Sequence, residues 1–197
     1  MKLKPSQIIL IILILVASAY TLIAIAKWWL ADAAFASAKK LADAGYVSQA
    51  LPDFHKAIQL LPAEPLFHDG LADTAAKIAL VLSPQGATES ARQFQDLALT
   101  ESALALKLNP VNLNFHKTRI RVLFFLAQID PGFYPQALDV LRQAISLAPT
   151  DAKLYYNLGI LEQELGQTTT ARLTLQTALD LKPDYIIAKT AIDSLPQ

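Results

Sequence analysis

Residues 171–183 read ARLTLQTALDLKP, from Ala171 to Pro183, and their skeleton recurs three times upstream. It stands at 50–62 (ALPDFHKAIQLLP), at 98–110 (ALTESALALKLNP) and at 137–149 (ALDVLRQAISLAP). In each, two alanines seven residues apart flank a middle position: Phe54, Ser102, Leu141 or Leu175. A proline follows five residues after the second alanine, at Pro62, Pro110, Pro149 and Pro183. Spacings of four and three put these residues on one helical face. Small residues there let another helix come close, and the proline stops the helix. Four helices with one shared packing face predict an internal repeat.

A partner helix is expected ahead of each. In the last unit Tyr155, Leu158, Gly159 and the turn glycine Gly166 stand at regular places, with Glu162 where an aromatic is usual. The first unit offers Ala34, Ala38, Leu41 and Gly45, and the second His68, Leu71 and Ala72. The third has His116, Ile120 and Leu123, with Arg119 where leucine is expected. On these residues the chain resembles tetratricopeptide-repeat (TPR) proteins, whose period is about 34 residues. Pro149 to Pro183 spans 34 residues, Pro110 to Pro149 39, and Pro62 to Pro110 48. The surplus is assigned to loops at Ser83-Pro84-Gln85-Gly86 and Asp130-Pro131-Gly132, and to a long helix over about Thr88–Leu108. The fold expected is all-α: an N-terminal transmembrane helix, then a TPR α-solenoid of about four helix–turn–helix repeats. The repeats run over about 31–64, 65–112, 113–151 and 152–185. A tail at 186–197 is expected to cap the last apolar face, with Asp193 and Gln197 at a solvated end.

Residues 1–30 are read as a membrane anchor, spanning about 8–27. The nineteen residues from Ile8 to Ala26 carry no charge. As a helix they are roughly 28 Å long, close to the ~30 Å hydrocarbon core. A cleaved signal peptide is the competing reading: an A-x-A-like site stands at Ala36-Ser37-Ala38, but the apolar run exceeds the usual length. Trp28 and Trp29 suit a membrane–water interface. Lys2, Lys4 and the α-amino group precede the run, and Lys27, Lys39 and Lys40 follow it. The bias favours a cytoplasmic N-terminus and extracytoplasmic repeats. With no Gly or Pro between Pro5 and Gly45, the span either continues unbroken into the first repeat helix or bends near Lys27–Trp29.

Charge and composition narrow the function. The chain has 17 basic and 17 acidic residues. The first thirty hold three lysines and no acid, which leaves about −3 for the rest. That is not the basic footprint of a nucleic-acid binder. There is no cysteine, which excludes disulfides. His55, His68 and His116 lack metal-ligand spacing, and His68 and His116 read as packing residues. Six glycines form no phosphate-cradling loop or nucleophile elbow. No catalytic residue, metal or cofactor is assigned, and the chain is not read as an enzyme.

TPR units stack so that their first helices line a concave wall, and the resemblance implies that this wall binds a protein or peptide. The wall-facing positions are Asp69, Asp73 and Lys77, then Asn114, Lys117 and Arg121, then Lys153, Tyr156, Asn157 and Ile160. Acid is expected at one end, and base, amide and aromatic at the other. Reversing Lys117 and Arg121 to Glu is expected to remove partner capture with the fold intact. Some TPR proteins grip a C-terminal carboxylate, but only Asn157 matches that clamp; Ala36, Gly70 and Thr118 fill the equivalent positions. Self-association through the long second-repeat helix is a further expectation.

A narrower resemblance is carried by residues 108–119 (LNPVNLNFHKTR), 128–131 (QIDP) and 148–159 (APTDAKLYYNLG). These resemble the C-terminal TPR region of bacterial O-antigen ligase/polymerase-like membrane proteins. That resemblance implies a tie to cell-envelope polysaccharide assembly, with this chain an accessory part. Ser18, Tyr20 and Thr21 would then pack against a multi-span membrane partner.

Overall fold

The computed structural model describes residues 4–196. Lys2 and the α-amino group, counted in the charge bias, and Gln197 of the tail lie outside the described residues. Among the described residues the chain is helical throughout, without a strand. The described residues divide into two units, 4–67 and 68–196.

The first unit settles the question of continuity. Helix α1 runs unbroken over Pro5–Asp43, 39 residues, with Pro5 in its first turn, where a proline costs no hydrogen bond. Its apolar part has mean hydropathy 3.0 and no buried residue, so it is long and apolar enough to cross a membrane. Beyond Leu30 the same helix acquires a packing face: Ala31, Ala34, Phe35, Ala38 and Ala42 are buried. Gly45, at φ 87°, closes the helix in the left-handed conformation. Helix α2 (Val47–Leu60) folds back and buries Ala50, Phe54 and Ala57. The Phe35 ring meets Phe54 edge-on at 5.8 Å and Phe67 at 5.0 Å.

The second unit repeats the pairing. Helix α3 is Pro65–Leu82 and begins just ahead of the unit boundary. A short 3₁₀ turn at Ser83–Gln85 leads to α4, Thr88–Leu108. Then come α5 (Leu113–Ala127) and α6 (Tyr134–Leu147), joined by a 3₁₀ turn at Pro131–Phe133. Helices α7 (Ala152–Glu164), α8 (Thr168–Leu181) and α9 (Ile186–Ser194) complete it. Ala72, Ala75, Ala76 and Ala79 of α3 share one core with Ala98 of α4 and Val122 and Leu126 of α5. Ile120 and Leu123 share another with Leu141 of α6 and Leu154 and Leu161 of α7. Leu195, just past α9, closes over Ala171 and Leu175.

The eight alanines and four middle residues of the skeleton are all at most 1 % exposed. The residues before the four prolines, Leu61, Asn109, Ala148 and Lys182, end their helices at φ between −136° and −145° and ψ between 72° and 89°. Proline pushes its predecessor out of the helical region, so one local rule ends all four helices alike.

Arg119, His68 and His116 are each met by a polar contact at their unusual positions in the repeat. Arg119 donates to the Leu99 carbonyl at 3.0 Å and to Ser102 Oγ at 2.7 Å. Ser102 is therefore small because its neighbour's guanidinium fills the space. Burial lowers the Arg119 pKa from its ordinary value. His68 is buried against Glu101, and His116 Nε2 donates to the Pro110 carbonyl at 2.8 Å. Glu162, which replaces the aromatic, is 6 % exposed.

Candidate functional site

The polar stripes of α3, α5 and α7 lie at helical spacing because their other faces are committed to the cores. Two caps fix where α5 and α7 begin. Asn112 Oδ1 accepts the Asn114 N–H at 2.9 Å, and Asp151 Oδ1 accepts the Lys153 N–H at 3.0 Å. Each satisfies a donor left free at a helix start. Asp151 does more than cap, since its Oδ2 takes Lys117 Nζ of α5 at 2.6 Å.

Between α3 and α5 the polar groups are likewise joined. Thr118 Oγ1 donates to Asp69 Oδ2 at 3.0 Å. Arg121 Nε donates to Asp73 Oδ1 at 2.6 Å, while Lys77 Nζ holds Asp73 Oδ2 at 2.8 Å. Partial burial pushes the Asp73 carboxyl up, but Lys77 and Arg121 outweigh it and hold its pKa below the ordinary value. Asp151 follows the same balance: burial raises it, while Lys117 and the Lys153 N–H lower it further. The acid and base that the sequence reading set at opposite ends of the wall thus meet across neighbouring helices. The cause is register: residues 34, 48 and 49 apart in sequence come level when the repeats stack.

The expected residues separate into two clefts. Lys117, Arg121, Lys153 and Asn157 surround a cleft of about 380 Å³ between α5 and α7. Ile120, Phe124 and Leu154 line it as well. Ile120 and Leu154 are buried, and Phe124 packs partly buried against the same core, so the floor is apolar; the rim is polar, with Lys117 and Arg121 paired to Asp151 and Asp73 and Lys153 exposed. Tyr156 and Ile160 are not part of it. They line an open cleft of about 320 Å³ with Ile187, Thr190 and Ala191 of α9. The Tyr156 ring stands edge-on to Tyr185 at 5.5 Å. Burial, then the charges of Tyr156 and Asp151, raises the Tyr185 pKa. Asn114 stays exposed at the first turn of α5. Trp28 and Trp29 are 60 % and 68 % exposed on α1.

Sequence reasoning missed Thr118 and Asp151 as ties, and Ile120, Phe124 and Leu154 as a floor. Asp151 carried a signal, because a lone Asp between a proline-terminated helix and a new apolar run marks an N-cap. The floor residues carried none, since nothing in a sequence says which packing residues edge a gap between repeats. Among the described residues no three His, Cys, Asp or Glu side chains gather as a metal-binding group.

Family comparisons agree with the repeat. The family described as "TPR repeat" matches residues 129–166, and that described as "Tetratricopeptide repeat" matches residues 152–185. Among solved structures, Pseudomonas aeruginosa PilF is similar at 18% identity and TM-score 0.65, over 85% of this chain and 68% of that one. MamA from Desulfovibrio magneticus RS-1 is similar at 22% identity and TM-score 0.58, over 83% of this chain and 81% of that one. A further MamA crystal structure is similar at 19% identity and TM-score 0.61, over 86% and 78%. Identities this low show the fold alone. No sequence among curated proteins matches the chain.

Proposed function

We propose that this chain is a membrane-anchored adaptor whose repeats bind another protein. Helix α1 would cross the bilayer with its N-terminus on the cytoplasmic side, and the repeats would stand on the extracytoplasmic side. The observation that carries the binding reading is the cleft between α5 and α7. Its apolar floor and its rim of Lys117, Arg121, Lys153 and Asn157 suit a peptide that presents an apolar side chain beside a carboxylate. Burial of the apolar group supplies affinity, and the rim fixes orientation. Tyr156, Ile160 and α9 extend the surface. Asp69, Asp73 and Lys77 serve it indirectly, by holding Arg121 and α5 in place.

A photo-crosslinking residue at Asn157 in native membranes tests this directly. One defined adduct is expected there, and none from the same residue at Leu173, exposed on α8. Equal adducts at both sites, or none at Asn157, would overturn the assignment.

The rival reading, an accessory part of an O-antigen ligase/polymerase-like enzyme, rests on three sequence runs. Asn112, Asp130 and Asp151 in those runs already have local work as turn and helix caps. Thr21 Oγ1 donates to the Ala17 carbonyl at 2.6 Å within its own helix, so it does not demand a neighbouring span. The adaptor reading therefore stands first.

A further inference from the structure

The turn between α2 and α3 returns to α1 at a particular height. Trp28 shares one cleft, about 220 Å³, with Leu61, Ala63 and Glu64 of that turn. It shares another, about 100 Å³, with Asp32, Glu64, Leu66 and Phe67. The contact of Phe67 with Phe35, at 5.0 Å, pins the turn to the helix. Leu66, by contrast, is 44 % exposed one residue earlier; Trp28, which shares its cleft, is exposed, as are Trp29 and Leu30 that follow it on α1.

Height along α1 converts to depth in a bilayer. The uncharged run Ile8–Ala26 is centred on Ala17. Trp28 then lies roughly 16 Å from the midplane and Asp32 roughly 22 Å, at 1.5 Å per residue. The hydrocarbon half-thickness is about 15 Å, and the headgroup layer extends to about 20–22 Å. A tilt of about 20° changes these heights by only a few per cent. Because α1 is unbroken and Phe54 and Phe67 pack against its Phe35, the turn keeps this level for as long as that packing holds.

Resting on the reading of α1 as a membrane span, we propose that Trp28, Trp29 and the α2–α3 turn form a lipid-contacting surface. Its partner is the headgroup layer of a zwitterionic bilayer. Trp28, Trp29 and Leu66 supply amphipathic and apolar area to the acyl boundary. Asp32 and Glu64 face the layer where the ammonium of a choline or ethanolamine headgroup sits.

The chain has two tryptophans, both in this surface, and no cysteine. The full chain is reconstituted in phosphatidylcholine nanodiscs, with and without brominated acyl chains. Nitroxide probes are placed singly at Ala63→Cys, Leu66→Cys and Tyr46→Cys. Tyr46 is 57 % exposed at the far end of the α1–α2 hairpin, past the end of α1 at Asp43, which lies roughly 22 Å along the helix from Trp28. Expected are strong tryptophan quenching by brominated lipid, and several-fold lower access of a water-soluble nickel chelate to positions 63 and 66 than to position 46. Quenching with all three probes equally open to water would overturn the lipid contact and leave the span standing. No quenching would overturn the span and the contact together.

Discussion

Gly159 of α7 lies so close to Leu175 of α8 that a Cβ on Gly159 would stand 2.6 Å from Leu175 Cγ and 3.2 Å from the Ala171 carbonyl oxygen. Glycine within a helix normally costs up to about 1 kcal/mol relative to alanine. Here the close approach reverses the sign. Gly159→Ala is expected to destabilise by about 1–3 kcal/mol through overpacking, read as a lower midpoint in thermal or urea unfolding. A rise in midpoint would show that α7 and α8 can part without loss.

Arg119 and Ser102 replace an apolar pair and depend on each other. Ser102→Ala leaves a half-buried guanidinium with the Leu99 carbonyl as its remaining acceptor. A cost of about 1–3 kcal/mol is expected. Arg119→Leu with Ser102→Ala should cost less than the sum of the two single changes. A double-mutant cycle that closes to within about 0.5 kcal/mol would deny the coupling.

Acid should loosen the ties between α3, α5 and α7. Asp73 and Asp151 both have pKa values lowered by folding. Their contribution is therefore full above the unfolded carboxyl value, about 3.9, and is lost as pH falls through the lowered folded values. Asp73→Asn and Asp151→Asn should each flatten the decline in stability below about pH 4, by no more than about 1 kcal/mol. Unchanged acid limbs in both variants would rule the ties out as contributors.

Reversing Lys117 and Arg121 to Glu is a poor probe of binding, contrary to the expectation from sequence. Both bases are engaged, with Asp151 and Asp73, so reversal sets carboxylate against carboxylate. The double variant should unfold at a lower temperature. Lys153→Gln lies on the exposed start of α7 and should change stability by under about 0.5 kcal/mol. It should nonetheless weaken the Asn157 adduct in native membranes. An undiminished adduct would remove Lys153 from the binding rim.

Sidedness can be read at Val111, 73 % exposed in the turn after α4. Val111→Cys in intact cells should react with a membrane-impermeant maleimide added outside. Labelling only after lysis would reverse the topology.

The second helices were legible because their signal is local. Ala171, Leu175, Ala178 and Pro183 are set by helical spacing and by the restriction proline places on Lys182. Interactions between repeats were not legible. Nothing near Asp73 in sequence points to Arg121, and nothing near Thr118 points to Asp69. Composition left open whether α1 bends at Lys27–Trp29. An unbroken run of helix-compatible residues, with Ala31, Ala34 and Phe35 already packing one turn later, favours continuity.

That continuity makes α1 a crank for the repeat that follows it. In a helix of 3.6 residues per turn, one residue inserted between Ala26 and Ala31 would swing the α2 side of the hairpin by about 100° around the axis and lift it about 1.5 Å. Seven inserted residues would restore nearly the same azimuth about 10 Å higher. The compass bearing and the altitude of the first repeat are therefore quantised, and both are set by a count of residues.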